Sequence, residues 1–318
     1  MAQVVTLGEA MLRLSSKGGV RLRSAEYLDL HVAGSEANVA AALSSLGGEA
    51  AWISALPVGP LGDRIIGEMS AAGVDVTGVE RVEDGRVGLF FVEFGAPPRP
   101  TAVWYDRADS AFSLLRQIPS LTGRPGMALT SGITLALSEP TRELALDFLR
   151  SAKERGASAC FDVNYRERLW STGEARDGIM PALEIADVVV CSRADADRVL
   201  GVNAPDVVDV ARRMLADFAP AASVLVITDG AEGSAGISGS ETFRQEAIRA
   251  EVIDRIGAGD AFMAGLLWGL LRDEGLDRAL EFAAAMGALA CTVRGDHALF
   301  DEEEVRAVAR AGTTELVR

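Results

Sequence analysis

Short apolar runs bounded by turn residues recur along the chain, at Val4–Leu7, Trp52–Leu56, Met127–Thr130, Ala157–Val163, Val188–Cys191 and Val224–Thr228. Polar residues do not alternate within them, which predicts strands covered on both faces, as in a parallel sheet. Helical periodicity lies between the runs. Asn38–Leu46 puts Val39, Leu43 and Leu46 on one face and stops at Gly47, and Pro140–Arg155 does the same with Leu144, Phe148 and Leu149 before Gly156. The last three runs start at intervals of about 30 residues, the size of a βαβ unit. The predicted fold is α/β: a doubly wound, mostly parallel sheet with helices on both faces. Two stretches, 11–33 and 86–107, break this pattern with short alternating segments such as Val87, Leu89 and Phe91. A period of two suits antiparallel strands, which either pair with one another as a small β lid or form two ordinary hairpins on the main domain.

Composition narrows the class of protein. The 318 residues fit one extended domain, and 49% hydrophobic with 24% charged residues supply an ordinary globular core. A formal charge of −15 repels phosphate backbones and anionic lipids, so nucleic acid and membrane surfaces are not expected partners. Cys160, Cys191 and Cys291 are odd in number and far apart, which suggests neither a disulfide framework nor a zinc knuckle and fits a reducing cytoplasm. The first residues show no export pattern, and no run of 18 apolar residues occurs.

Candidate chemistry is concentrated in two glycine turns. In Asp254-Arg255-Ile256-Gly257-Ala258-Gly259-Asp260-Ala261-Phe262, two glycines precede the apolar helical pattern Met263–Leu271. Backbone N–H groups at such a turn converge on one point, and the helix dipole adds positive potential there, so the turn suits a phosphate. Asp260 then stands beside the bound anion as a candidate base, or is simply the N-cap of its helix. The second turn is Gly34-Ser35-Glu36-Ala37-Asn38-Val39-Ala40, which read alone is also compatible with a plain helix-capping turn. Neither G-x-x-x-x-G-K-[ST] nor a G-x-G-x-x-G after the first strand is present, and His31 and His297 are isolated, as surface or structural histidines are.

The first of these segments matches, residue for residue, the C-terminal signature D-x-x-G-A-G-D-x-F of the PfkB/ribokinase family of carbohydrate kinases. The second resembles the family's N-terminal signature G-G-x-x-x-N-x-A, with one of its two glycines replaced. About 220 residues separate the two, in the family's order, and the resemblance covers essentially the whole chain. It implies a single ribokinase-like domain over 1–318, with the two alternating stretches as a lid that often clasps the lid of a second subunit, hence a homo-oligomer. It also implies Asp260 as the catalytic base, Gly257, Ala258 and Gly259 as an anion hole, and Gly34 and Asn38 at the sugar. ATP and Mg²⁺ are the implied cofactors, with dependence on a monovalent cation open. Thr228, Gly230 and Gly233 resemble the family loop near the nucleotide, with a plain turn as the alternative. Ser192 and Asp195 stand where the family has N-x-x-E, a motif associated with magnesium and phosphate; both residues are changed here.

Three further segments, around Leu56–Gly62, Trp104–Ala111 and Asp162–Trp170, resemble the 2-keto-3-deoxygluconate kinase branch. The implied reaction is ATP-dependent phosphorylation of that sugar acid at its 6-hydroxyl. Its carboxylate matches the planar fork of a guanidinium, and Arg107 and Arg166 are the implied partners. Tyr105 would bond the sugar, and Phe90 replaces a tyrosine common in relatives. Asp296 matches a late acidic position of the branch, where a solvent-exposed loop acid is the alternative. Rival readings are a kinase for fructose, ribose or a nucleoside, and a catalytically silent sugar-binding relative.

Overall fold

The computed structural model describes residues 2–96, 98–118 and 124–311. The N-terminal part runs β1 (Val4–Leu7), β2 (Met11–Ser15), β3 (Asp29–Ala33), α1 (Ser35–Ser45), β4 (Ala50–Pro57), α2 (Pro60–Ala71), β5 (Val79–Val82), β6 (Gly88–Glu93) and β7 (Ala102–Asp106). It continues through β8 (Met127–Ser131), α3 (Gly132–Leu137), α4 (Glu139–Glu154), β9 (Ser158–Asp162), α5 (Thr172–Ile185), β10 (Val188–Ser192), α6 (Arg193–Leu200) and α7 (Val207–Asp217). The last described elements are β11 (Val224–Thr228), β12 (Ser234–Ser238), β13 (Glu241–Gln245), α8 (Ala258–Leu271), α9 (Gly275–Ala290) and α10 (Glu302–Ala311).

Nine strands form the large sheet, in the order β13-β12-β11-β10-β9-β8-β1-β4-β5. All six expected apolar runs are in it, and they pair parallel. The lack of alternation has a direct cause, since consecutive residues of one strand are buried in opposite layers. Val188 and Val190 join a core with α1, α2, α8, α9 and α10, whereas Val189 and Cys191 join one with α3 to α7. Three further strands carried no such signal. β12 adds antiparallel to β11 and β13 to β12, and β5 adds parallel to β4; β13 and β5 are largely exposed, whereas β12 is buried but rich in Ser, Ala and Gly. Helix starts were also displaced: α1 begins at Ser35 rather than Asn38, and α8 at Ala258 rather than Met263. Polar and small residues occupy both first turns, where apolar periodicity gives no mark.

The stretches 11–33 and 86–107 do pair, in a four-stranded sheet ordered β3-β2-β6-β7. Each contributes an antiparallel pair, but the central β2–β6 pairing is parallel, which corrects the expected antiparallel arrangement. β2 follows β1 and β6 follows β5, two strands of the same parallel sheet, so both chains leave one edge in the same direction. Met11, Ala33, Phe90 and Val92 form the inner face of this small sheet and pack against Ile256, at the entrance to α8. No helix among the described residues is long and apolar enough to cross a membrane.

Candidate active site

Helix α8 starts from Gly257, whose φ of +88° lies in the left-handed region that favours glycine. A Cβ there would also lie 2.7 Å from the backbone oxygen of Asp296, so two independent constraints exclude a side chain. Nothing lies within 4 Å of where a Cβ on Gly259 would be, so the first turn of the helix opens onto free space. A helix start without a side-chain cap, facing such a space, fits a phosphate.

Asp260 lies in this first turn, partly buried, and does not cap its helix. Its carboxylate is held instead by α1: Ser35 Oγ donates to Oδ1 at 2.7 Å, and Asn38 Nδ2 donates to Oδ2 at 2.7 Å. Asn38 Oδ1 in turn accepts from the Gly34 N–H at 3.3 Å. Gly34 brings α1 this close to the segment between β1 and β2, because a Cβ on it would lie 2.2 Å from the carbonyl oxygen of Glu9. The two glycine turns, remote in sequence, thus meet on one carboxylate.

Acidic groups gather around it at the carboxyl edge of the sheet. Burial pushes the carboxyls of Asp260, Glu36 and Asp195 above the usual range, and that of Asp162 up to about 8, with the neighbouring Asp260 adding to the rise for Asp162 and Glu36. Ser35 and Asn38 oppose the rise at Asp260, as does Arg166. The same guanidinium favours the charged forms of Asp162 and Asp195. Glu36 accepts from Ser131 Oγ at 2.7 Å and Thr134 Oγ1 at 2.8 Å. Arg166 is exposed, and its Nη1 donates to the Tyr165 carbonyl at 3.0 Å.

Arg107 has a different setting. It follows β7 and is held by the buried Glu9, with Nε 2.9 Å from Oε2 and Nη2 on the same oxygen. Its guanidinium lies 5.8 Å from the Tyr105 ring, and Tyr105 stacks on the buried Phe90 with centroids 5.7 Å apart. The two arginines share no partner among the described residues. Expected to converge on one carboxylate, they are anchored separately, Arg107 beside the small sheet and Arg166 by the acids around Asp260.

Asp296 is not a solvent-exposed loop acid. It is buried, bonded by Arg13 Nη1 at 2.9 Å, and burial raises its carboxyl to about 7. Arg13 also pairs with Asp254, whose Oδ1 accepts from the Ile256 N–H at 3.1 Å. One buried guanidinium on β2 therefore ties the small sheet to both segments flanking Gly257.

On the nucleotide side, Ser192 and Thr228 are register partners at the ends of β10 and β11. Ser192 Oγ accepts from the Asp195 N–H at 3.0 Å and so caps α6. Gly230 opens a single turn of 3-10 helix, and Gly233 abuts the Gln245 backbone. An ion pair of 2.7 Å between Arg193 and Asp229 joins the two loops. No group of three or more His, Cys, Asp or Glu side chains that could hold a metal occurs among the described residues. Magnesium needs only one or two carboxylates when phosphate oxygens and water complete its shell, and the partly buried Asp195 is such a donor.

Glu9, Arg13, Ser35, Asp162 and Asn164 were not assigned as site residues from sequence. Arg13 did carry a signal: it shares strand parity with Met11, between the apolar Leu12 and Leu14. Ser35 gave no signal, because spacing from Asn38 and Ala40 puts it at a variable position of the signature.

A doubly wound sheet with an open helix start, a carboxylate beside it and a small sheet packed at its entrance defines a phosphotransferase of the ribokinase-like class. Residues 1–303 match the model of the pfkB family carbohydrate kinases. The chain is 39% identical, over 98% of each chain, to a 2-dehydro-3-deoxygalactonokinase of Haloferax volcanii. It is 33% identical to a 2-dehydro-3-deoxygluconokinase of Thermoproteus tenax, over 93% of this chain and 90% of that one. The crystal structure of 2-dehydro-3-deoxygluconokinase from Thermotoga maritima superposes with a TM-score of 0.87 at 30% identity, covering 98% of both chains. The chain belongs to the pfkB family of carbohydrate kinases. It is an ATP-dependent sugar phosphotransferase.

Proposed function

We propose that the enzyme phosphorylates a six-carbon 2-keto-3-deoxyaldonate at its 6-hydroxyl, with 2-keto-3-deoxy-D-gluconate as the first substrate to test. The carrying observation is Asp260, its carboxylate fixed by Ser35 and Asn38 beside the open start of α8. Asp260 takes the proton of the acceptor hydroxyl, and the backbone donors of Gly257, Ala258 and Gly259 receive the charge of the transferring phosphoryl group. Thr228, Gly230, Gly233 and Ser192 line the nucleotide side. Magnesium, held by Asp195 and the nucleotide phosphates, would supply further charge neutralisation. The small sheet closes over the sugar as a lid and keeps water from the phosphoryl group. Its outer strand exposes Trp104 at 45%, which supports pairing with the lid of a second subunit.

Arg107 is the residue proposed to choose an acid over a neutral sugar. Glu9 grips its Nε and Nη2, which leaves Nη1 as the donor for a substrate carboxylate. A galactonate epimer is the second reading, favoured by the 39% identity to a galactonate enzyme. Phe90 bears on the choice, because it offers no hydroxyl to read stereochemistry.

The test is kcat/KM for both ketodeoxy acids and for fructose and ribose, in wild type and Arg107→Lys. Lysine keeps a positive charge against the buried Glu9 but loses the fork, so the fold survives better than with alanine. The acids are expected to lose about ten- to hundredfold, the worth of one charge-assisted hydrogen bond, and any neutral sugar much less. Equal losses on both would remove Arg107 from the carboxylate, and a wild-type preference for fructose or ribose would reject the ketodeoxyaldonate.

A further inference from the structure

Ser35 directly follows the signature glycine Gly34, and its hydroxyl lies in a chain of hydrogen bonds that the reaction scheme does not require. Asn164 Nδ2 donates to Ser35 Oγ at 3.0 Å and to Asp162 Oδ2 at 3.3 Å. The Asn164 backbone N–H donates to Asp162 Oδ1 at 3.2 Å. Asn164 is buried, with φ +36°, a left-handed conformation that asparagine tolerates better than most residues. An amide nitrogen is only a donor, so its bond to Ser35 fills a lone pair of the hydroxyl and leaves the hydroxyl proton for the other neighbour. That neighbour is Asp260 Oδ1, at 2.7 Å.

We propose that Ser35 and Asn164 are positioning residues for Asp260: Asn164 fixes the direction of the Ser35 hydroxyl, which then always donates to the base and holds its carboxylate ionised and aligned toward the acceptor. The proposal rests on Asp260 being the base. The charged groups facing Asp260 are Arg166 from the segment after β9, Asp162 at the end of β9, Glu36 on α1 and Asp296 after α9. Three of these four are acids, each disfavouring a further negative charge, so a donor committed to Asp260 has a specific task there.

The sign follows from linkage. Ser35 stabilises the ionised form of Asp260, so its loss raises the carboxyl and moves the acid limb of the kcat–pH profile upward. The experiment measures that limb from about pH 5 to 9, at saturating ATP and magnesium, on both ketodeoxy acids. Ser35→Ala is expected to move it up by about one pH unit, the worth of one hydrogen bond to a charged group, and Ser35→Thr to restore it. Gly34, the cap of α1, makes no side-chain bond, and alanine is a good helix former, so Ser35→Ala leaves the helix intact. Asn164→Gly keeps the left-handed backbone and is expected to move the limb in the same direction by less. The double variant should move it no further than Ser35→Ala alone, because Asn164 acts through Ser35. An unmoved limb in Ser35→Ala, or additive shifts in the double variant, overturns the proposal. Asp260→Asn separates the two ways of failing. If it is inactive while Ser35→Ala keeps the wild-type limb, only the positioning role is lost; if it retains wild-type kcat, the base assignment itself is wrong.

Discussion

Replacing Asp260 by asparagine tests the base at nearly constant shape. The wild-type carboxylate accepts from two donors, Ser35 Oγ and Asn38 Nδ2, each at 2.7 Å. Asparagine offers one oxygen and one NH₂, so one of these donors must face another donor. Asn38 cannot flip to accommodate it, because its Oδ1 already accepts from the Gly34 N–H. The favourable arrangement turns the new oxygen to Asn38 and the new NH₂ to Ser35, whose hydroxyl proton is then displaced. That mismatch costs about 1–3 kcal/mol. It is offset by relief of the desolvation that raises the wild-type carboxyl. The net change in melting temperature is therefore expected to stay within a few degrees, about 2–4 °C per kcal/mol for a large domain. The chemical step has no such compensation. An amide cannot take the hydroxyl proton, so kcat should fall by about 10²–10⁴, or roughly 3–5 kcal/mol in the barrier. A coupled assay of ADP release gives kcat, a nucleotide titration checks that ATP binding is unchanged, and a melting curve checks the fold. A kcat within about threefold of wild type, on a variant that melts normally, refutes the assignment.

Gly257→Val is expected to abolish activity and lower the melting temperature, since it forces a branched side chain to φ +88° with its Cβ 2.7 Å from the Asp296 oxygen; retained turnover would show that the turn does not carry the phosphoryl group. Asp162→Asn tests the buried acids through pH. The wild-type carboxyl sits at about 8 when folded against about 4 unfolded, so the folded state holds the extra proton and wild-type stability falls as pH rises between those values. Asparagine does not titrate, so its melting temperature relative to wild type should rise from pH 5 to pH 8; a difference that stays constant or falls would refute the burial argument.

What the sequence reveals and what it conceals divide along physical lines. The six central strands were legible because burial on both faces leaves an uninterrupted apolar run, as in Val224–Thr228. β13 was not, because an exposed edge strand such as Glu241–Gln245 needs no apolar pattern. The two glycine turns were legible as backbone requirements, and their meeting on Asp260 confirms that spacing of some 220 residues can be closed by a parallel sheet that sends both to one edge. The environment of the arginines was not legible. A guanidinium at a strand end looks alike in sequence whether it faces solvent, a substrate or an internal carboxylate, and only packing distinguishes Arg166, exposed among acids, from Arg107, gripped by Glu9. Arg13 shows the same limit and its remedy. Strand parity with Met11 would place it inward, and an inward arginine in an apolar sheet must find buried anions, since an unpaired charge there would cost several kcal/mol. Its partners, Asp254 and Asp296, lie more than 240 residues away in sequence. They flank the Gly257 turn, so the inner face of the small sheet and the proposed anion site are held by one residue and are expected to respond together to its loss.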